Sequence, residues 1–131
     1  MTSPPPSAPL VLIVDDNERN RRLAGDVLRA AGLRTIEAAS GSEGIALAAE
    51  RLPDVILLDL ELPDMHGTDV ARELRDGART ARMPIVGLSA RPYVDERERV
   101  LAAGFNGYLE KPIDVGRFPE QVRSYFGPAA S

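Results

Sequence analysis

The chain has no cysteine in its 131 residues, and histidine occurs once, as His66. Without thiols there is neither a disulfide nor a thiolate metal ligand, and a single imidazole cannot build a histidine cluster. Any metal must therefore be held by oxygen. Also missing is a block of like charge: 16 basic and 20 acidic residues, dispersed along the chain, leave a net charge of −4, which provides no electrostatic footprint for DNA. No signal-peptide pattern opens the sequence, and no apolar stretch is long enough to cross a bilayer. These absences point to a cytoplasmic protein with no DNA or membrane partner. The length suits one domain with a real core and leaves no room for a separate output domain.

Residues 1–9 carry Pro4, Pro5, Pro6 and Pro9 among small polar residues, a composition expected to remain a disordered, solvated leader. The domain is placed at 10–126, with 127–131 as a C-terminal tail. Leu10 to Val14 is a continuous apolar run ending at Asp15-Asp16, the habit of a strand covered on both faces. Asn20, Leu23, Ala24, Val27, Leu28 and Ala31 then recur at helical spacing up to Gly32. Arg34 to Ala39 is a shorter, more polar strand suited to a sheet edge. Ser40 with Glu43 makes a capping box for a second helix, which Pro53 ends. Val55 to Leu58 is another unbroken apolar run leading into Asp59, followed by a turn over Pro63 to Gly67 and a helix to about Gly77.

Pro84 to Ser89 supplies a fourth strand, with a charged helix from about Val94 to Ala103 closed by Gly104. Tyr108 to Pro112 is the last strand, and Phe118, Val122, Tyr125 and Phe126 fall on one face of the last helix. Pro119 predicts a distorted first turn after Asp114 and a regular helix only from Pro119 onward. Five β-α units in series predict an α/β fold, a five-stranded parallel sheet with helices on both faces.

Asp15, Asp16, Asp59, Ser89 and Lys111 each stand at the C-terminal end of a predicted strand, the edge where open α/β sheets bind ligands. In a 2-1-3-4-5 order the three carboxylates meet, with Ser89 and Lys111 on the far side. Crowded carboxylates need protons or a cation, and oxygen ligands suit Mg²⁺. Metal and ammonium together equip phosphoryl transfer to Asp59, with Ser89 bonding a phosphoryl oxygen. Each residue singly has a plainer use: paired Asp as a cap, Lys before Pro as a solvated charge, Ser at a strand end satisfying backbone. Their common position is what singles them out.

The acidic pair after VLIV, Asp59 followed by Pro63 and Gly67, Ser89-Ala90, Tyr108 and Lys111-Pro112 together resemble the receiver domain of two-component response regulators, from about Leu10 to Phe126. The resemblance implies a flavodoxin-like, doubly wound sheet of order 2-1-3-4-5. It implies Asp59 as acceptor of a phosphoryl group from a sensor histidine kinase or histidine phosphotransfer protein. Mg²⁺ would be held by Asp16, Asp59 and the Glu61 carbonyl, with Asp15 acting through water, and the Lys111-Pro112 bond would be cis. On phosphorylation Ser89 would move toward the phosphate and Tyr108 swing inward, altering the face of helix 4, strand 5 and helix 5. That face would bind a downstream protein or a second copy. The kinase would dock around Asn17, Asn20, Leu23, Pro112 and Ile113.

Ser89 stands where the family more often has Thr, and Pro119 also departs from its pattern. Glu61 and Arg91 occupy positions that in this family border the route of water to the acyl phosphate, so as an opposite-charge pair they are expected to slow its hydrolysis. The chain is thus read as a stand-alone receiver that catalyses only its own phosphorylation and dephosphorylation. Two other classes share parts of the pattern. A haloacid-dehalogenase-like phosphatase would use Asp-x-Asp where this chain has Asp59-Leu60-Glu61, and a flavin-binding module would need a Ser/Thr-rich loop after the first strand.

Overall fold

The computed structural model describes residues 4–90 and 93–126. Five strands and five helices alternate: β1 Leu10–Val14, α1 Glu18–Ala30, β2 Arg34–Ala38, α2 Gly41–Arg51, β3 Val55–Asp59, α3 Gly67–Asp76, β4 Ile85–Ser89, α4 Tyr93–Ala102, β5 Gly107–Glu110 and α5 Phe118–Arg123. The sheet is parallel in the order β2-β1-β3-β4-β5, as expected. Every residue of β1, β3 and β4 is buried, whereas β2 at the edge is only partly so. The unbroken apolar runs are therefore the strands covered on both faces. No helix among the described residues is long and apolar enough to cross a membrane.

Successive strand residues point to opposite faces and divide the core in two. Leu12, Val14, Ile56 and Leu58 pack with Val70, Leu74, Val100 and Phe105 from the side of α3 and α4. Val11, Ile13, Val55 and Leu57 pack with Leu28 of α1 and Phe118 and Val122 of α5. Two full cores leave the strand ends as the place where polar groups can gather.

Helix ends follow the sequence signals to within a residue or two, except that α5 ends at Arg123, three residues before Phe126. Asn17 caps α1 by accepting from Asn20 N–H, and Gly32 has a φ of 91° beyond its end. Ser40 accepts from Glu43 N–H at 3.2 Å, but Glu43 reaches back to Ala39 N–H, one residue past the Ser40 N–H that a capping box requires. In α5, Pro119 is the second helical residue, where a missing N–H costs nothing. The turn before it is closed by Phe118 N–H on the Asp114 carbonyl at 2.8 Å, and the Asp114 carboxylate accepts from Gly116 instead of capping the helix. Tyr125 and Phe126 lie past the helix in turns that bond three residues back.

The Pro-rich leader is not wholly outside the fold. Ala8 is buried, its N–H bonds the Pro5 carbonyl, and its own carbonyl accepts from Arg34 Nε at 2.8 Å. A proline-rich segment can be tied down through its carbonyls, which proline retains.

At the N-terminal edge of the sheet, Arg75 of α3 joins three segments. It donates to the carbonyls of Gly104, Ala81 and Met83 and to Asn106 Oδ1, over 2.6–3.0 Å. Asn106 in turn accepts from Ile85 N–H at the start of β4. Arg75→Met would leave these acceptors unpaired under an apolar stem. It is expected to cost about 3 kcal/mol of unfolding free energy, measured by urea denaturation; a cost below about 0.5 kcal/mol would show the guanidinium to be an ordinary surface charge.

Candidate functional site

At the opposite edge the strand ends converge. Asp15 and Asp16 follow β1, Asp59 ends β3, Ser89 ends β4, and Lys111 follows β5. Asp15, Asp16 and Asp59 present carboxylate oxygens all within 4.8 Å of one another. Asp15 and Asp59 are buried and Asp16 is exposed. Lys111 Nζ lies 3.0 Å from Asp15 Oδ2 and 3.1 Å from Asp59 Oδ2, so one ammonium serves two carboxylates. The other oxygens are taken locally: Asp59 Oδ1 accepts from Glu61 N–H at 3.0 Å and Asp15 Oδ1 from Asn17 N–H at 2.9 Å. These groups line an open polar cleft of about 390 Å³, shared with Asn20, Glu61 and Ser89.

The structural roles of three supports had no distinct sequence signal. Arg21 donates to the Asp15 carbonyl at 2.8 Å while its Nε holds Glu37 at 3.2 Å, fixing the β1–α1 connection. Nothing in the sequence separates Arg21 from the other arginines of α1. Gly67 was legible as a turn residue and as part of the receiver pattern, but not as a point of close approach; its N–H bonds the Leu60 carbonyl at 2.8 Å. A Cβ there would meet Leu60 Cα at 2.7 Å and the Asp59 carbonyl at 2.9 Å, so the backbone beside the acidic residue can close only over glycine. Asp64 reaches across to α2, a contact between residues 23 apart.

The remaining expected residues are placed as follows. Ser89 is buried at the cleft, and Tyr108 is already buried, 9% exposed, in the core on the α3 and α4 side. The side chain that was to swing inward is thus inside in this conformation. The Lys111-Pro112 bond is cis. Glu61 has an exposed side chain at the cleft, and its expected counterpart Arg91 lies outside the described residues.

A family model described as the response regulator receiver domain matches residues 11–123. The chain belongs to the response regulator receiver family. Similar to this receiver is the polar-differentiation response regulator DivK of Brucella ovis, 40% identical over 119 residues that make up 91% of this chain and 97% of the relative. The chemotaxis protein CheY4 of Vibrio cholerae superposes with a TM-score of 0.86 at 27% identity, covering 91% and 99% of the two chains. The receiver domain of sensor histidine kinase PA1611 from Pseudomonas aeruginosa has a TM-score of 0.82 at 31% identity, covering 90% and 97%. That protein was solved with a magnesium ion coordinated in its active-site cleft. Membership gives this receiver a signalling role, a histidine kinase or phosphotransfer protein as partner, and a divalent metal at the acidic site. The phosphatase and flavin readings find no support.

Electrostatics of the receiver site are set by burial first. Burial raises the Asp59 carboxyl above its ordinary value, outweighing the Glu61 N–H and Lys111, and Asp15 adds to the rise. Burial would depress Lys111, but the Asp15 hydrogen bond and the charges of Asp59 and Asp15 leave its ammonium raised. Because the folded chain holds a proton on Asp59 more tightly than the unfolded chain, that contribution to stability is complete below the ordinary carboxylate value. It is lost as pH rises through the folded one. Asp59→Asn, a neutral isostere, is therefore expected to raise the urea midpoint at neutral pH and to lose that gain in acid. A midpoint at neutral pH below wild type would contradict this account.

Proposed function

We propose that Asp59 is the phosphoacceptor of this receiver and that the acidic cluster holds Mg²⁺. The observation that carries the reading is the shared Lys111 ammonium, in contact with Asp15 and Asp59 at the mouth of an open cleft. In the transfer, the N–P bond of a donor phosphohistidine breaks as a bond forms from an Asp59 carboxylate oxygen to phosphorus, and the imidazole leaves. Asp59 must attack as the anion. Lys111 favours that form against the penalty of burial, and it is placed to meet the phosphoryl oxygens once Asp59 is phosphorylated. Ser89, at the end of the neighbouring strand, is the proposed hydroxyl donor to the same group.

An oxygen-only set of three carboxylates fits a hard divalent cation. Asp16, Asp59 and the Glu61 carbonyl would hold it, with Asp15 acting through water. The ion supplies positive charge that stabilises the phosphoryl oxygens during transfer. An apolar hollow of about 270 Å³ adjoins the cleft through Asp15 and Lys111 and is walled by Leu23, Ala24, Leu88, Pro112 and Ile113. Its position supports docking of the donor protein there, with α4, β5 and α5 as the readout face toward a downstream protein through Ser89 and Tyr108.

Incubation with a small phosphodonor and Mg²⁺ should add one acid-labile phosphoryl group to the protein and none to Asp59→Asn. Turnover of many equivalents would instead support a phosphatase. Glu61 and Arg91 are proposed to lengthen the life of the acyl phosphate. Replacing both by Ala should shorten its half-life by about tenfold, the scale on which a positioned water alters a rate; an unchanged half-life removes them from that role.

A further inference from the structure

The loop from β3 to α3 carries Glu61, and it is held in two places. At its base, Gly67 N–H bonds the Leu60 carbonyl at 2.8 Å and Glu61 pairs with His66 in an isolated bridge. At its tip, Asp64 leaves the loop and accepts from two consecutive amides at the start of α2, Gly41 N–H at 2.8 Å and Ser42 N–H at 3.0 Å. First-turn amides have no partner within their own helix, so a carboxylate gains two charge-assisted bonds and the favourable end of the helix dipole.

Capping is only part of this contact. Helix α2 has a local cap in Ser40, which accepts from Glu43 N–H. Asp64 arrives from 23 residues away and brings the loop with it. The two segments are also in tight apposition, since a Cβ on Gly41 would meet Val70 Cγ2 at 2.8 Å and Met65 Sδ at 3.1 Å. The Gly41 and Ser42 amides hold Asp64 below the usual carboxylate value, so the contact is made by the anion throughout the neutral range.

We propose that Asp64 is a positioning residue for the metal site: by tying the tip of the β3–α3 loop to the first amides of α2, it fixes the backbone that presents the Glu61 carbonyl. This rests on the reading of Glu61 as a metal ligand given above. Released from α2, the loop keeps its bonds at the base but loses the Asp64 anchor, and the carbonyl direction becomes variable. Outer contacts that orient a ligand typically alter metal affinity by about tenfold or more.

The test uses the full chain, with Mg²⁺ binding followed by calorimetry and stability by thermal unfolding. Asp64→Ala should weaken Mg²⁺ about tenfold, and Asp64→Asn, which keeps one acceptor oxygen, should fall between it and wild type. Ser40→Ala is the control, because it removes a bond to the same helix end without touching the loop. It should lower Tm by about 4 °C and bind Mg²⁺ as wild type does. Wild-type affinity in Asp64→Ala, or equal weakening by Ser40→Ala, overturns the proposal and leaves Asp64 a cap. Failure of the metal reading itself is distinct: wild type would then show no saturable Mg²⁺ binding, and Asp16→Ala would not differ from it.

Discussion

A parallel sheet sends every strand out at the same edge, so residues that follow different strands are forced together there. In this chain the residues so gathered are three carboxylates and one ammonium, and their mutual repulsion is the constraint on which the rest of the site depends. Lys111 cannot neutralise the cluster. It bridges Asp15 and Asp59, at 3.0 and 3.1 Å, and leaves Asp16 to solvent. Each remaining oxygen that the protein satisfies is satisfied by a backbone amide two residues on, Asn17 for Asp15 and Glu61 for Asp59. The site is thereby held in order while staying short of positive charge, which is the condition for recruiting a cation instead of sealing the cluster off.

The two ends of the sheet divide the work. At the N-terminal edge, Arg75 gathers carbonyls from segments up to 29 residues away, and all of its contacts serve cohesion. At the C-terminal edge, Arg21 and Gly67 hold the connections that carry the acids, and Asp64 ties the second of these to α2. The acids themselves are not optimised for stability, since burial raises Asp59 against its own neutralising partners. A site that keeps a carboxylate buried gives up some stability to do so.

Which parts were legible follows from the range of the interaction that fixes them. Strands β1, β3 and β4 are continuous apolar runs because both faces are covered, and that signal is local. Asp15, Asp59, Ser89 and Lys111 were legible for the same reason, since their meaning came from standing at strand ends. The start of α2 was written in the Ser40 cap, whereas the Asn17 cap of α1 emerged only in the structure. The tethers were not legible: Arg21, Asp64 and Arg75 look like any solvated charge until the fold brings Asp15, Gly41 or Gly104 to them. Docking of the leader through the Ala8 carbonyl was hidden likewise, because the bond uses backbone and a distant Arg34. Tyr108 was expected at the surface before any switch, and its buried position was not legible, because it depends on how α3 and α4 close over the sheet.

Charge also explains how phosphorylation of such a site would act at a distance. With Asp59 ionised, the three carboxylates and Lys111 leave a formal excess of two negative charges. Phosphorylation removes the Asp59 carboxylate charge and brings a phosphoryl group carrying about −2 at neutral pH, so the local excess grows by about one unit. Lys111, which pairs with Asp15 and Asp59 before transfer, can turn to the phosphoryl oxygens but adds no charge beyond the one already counted. The added charge must therefore be met by a bound cation and by neutral donors that can turn toward it, and the hydroxyl at the end of the adjacent strand is Ser89. Ser89 lies beside Glu110 in the β4–β5 register, two residues on from Tyr108. A change at the phosphoryl group that redirects Ser89 thus bears on β5 first, and through it on the α4–β5–α5 face.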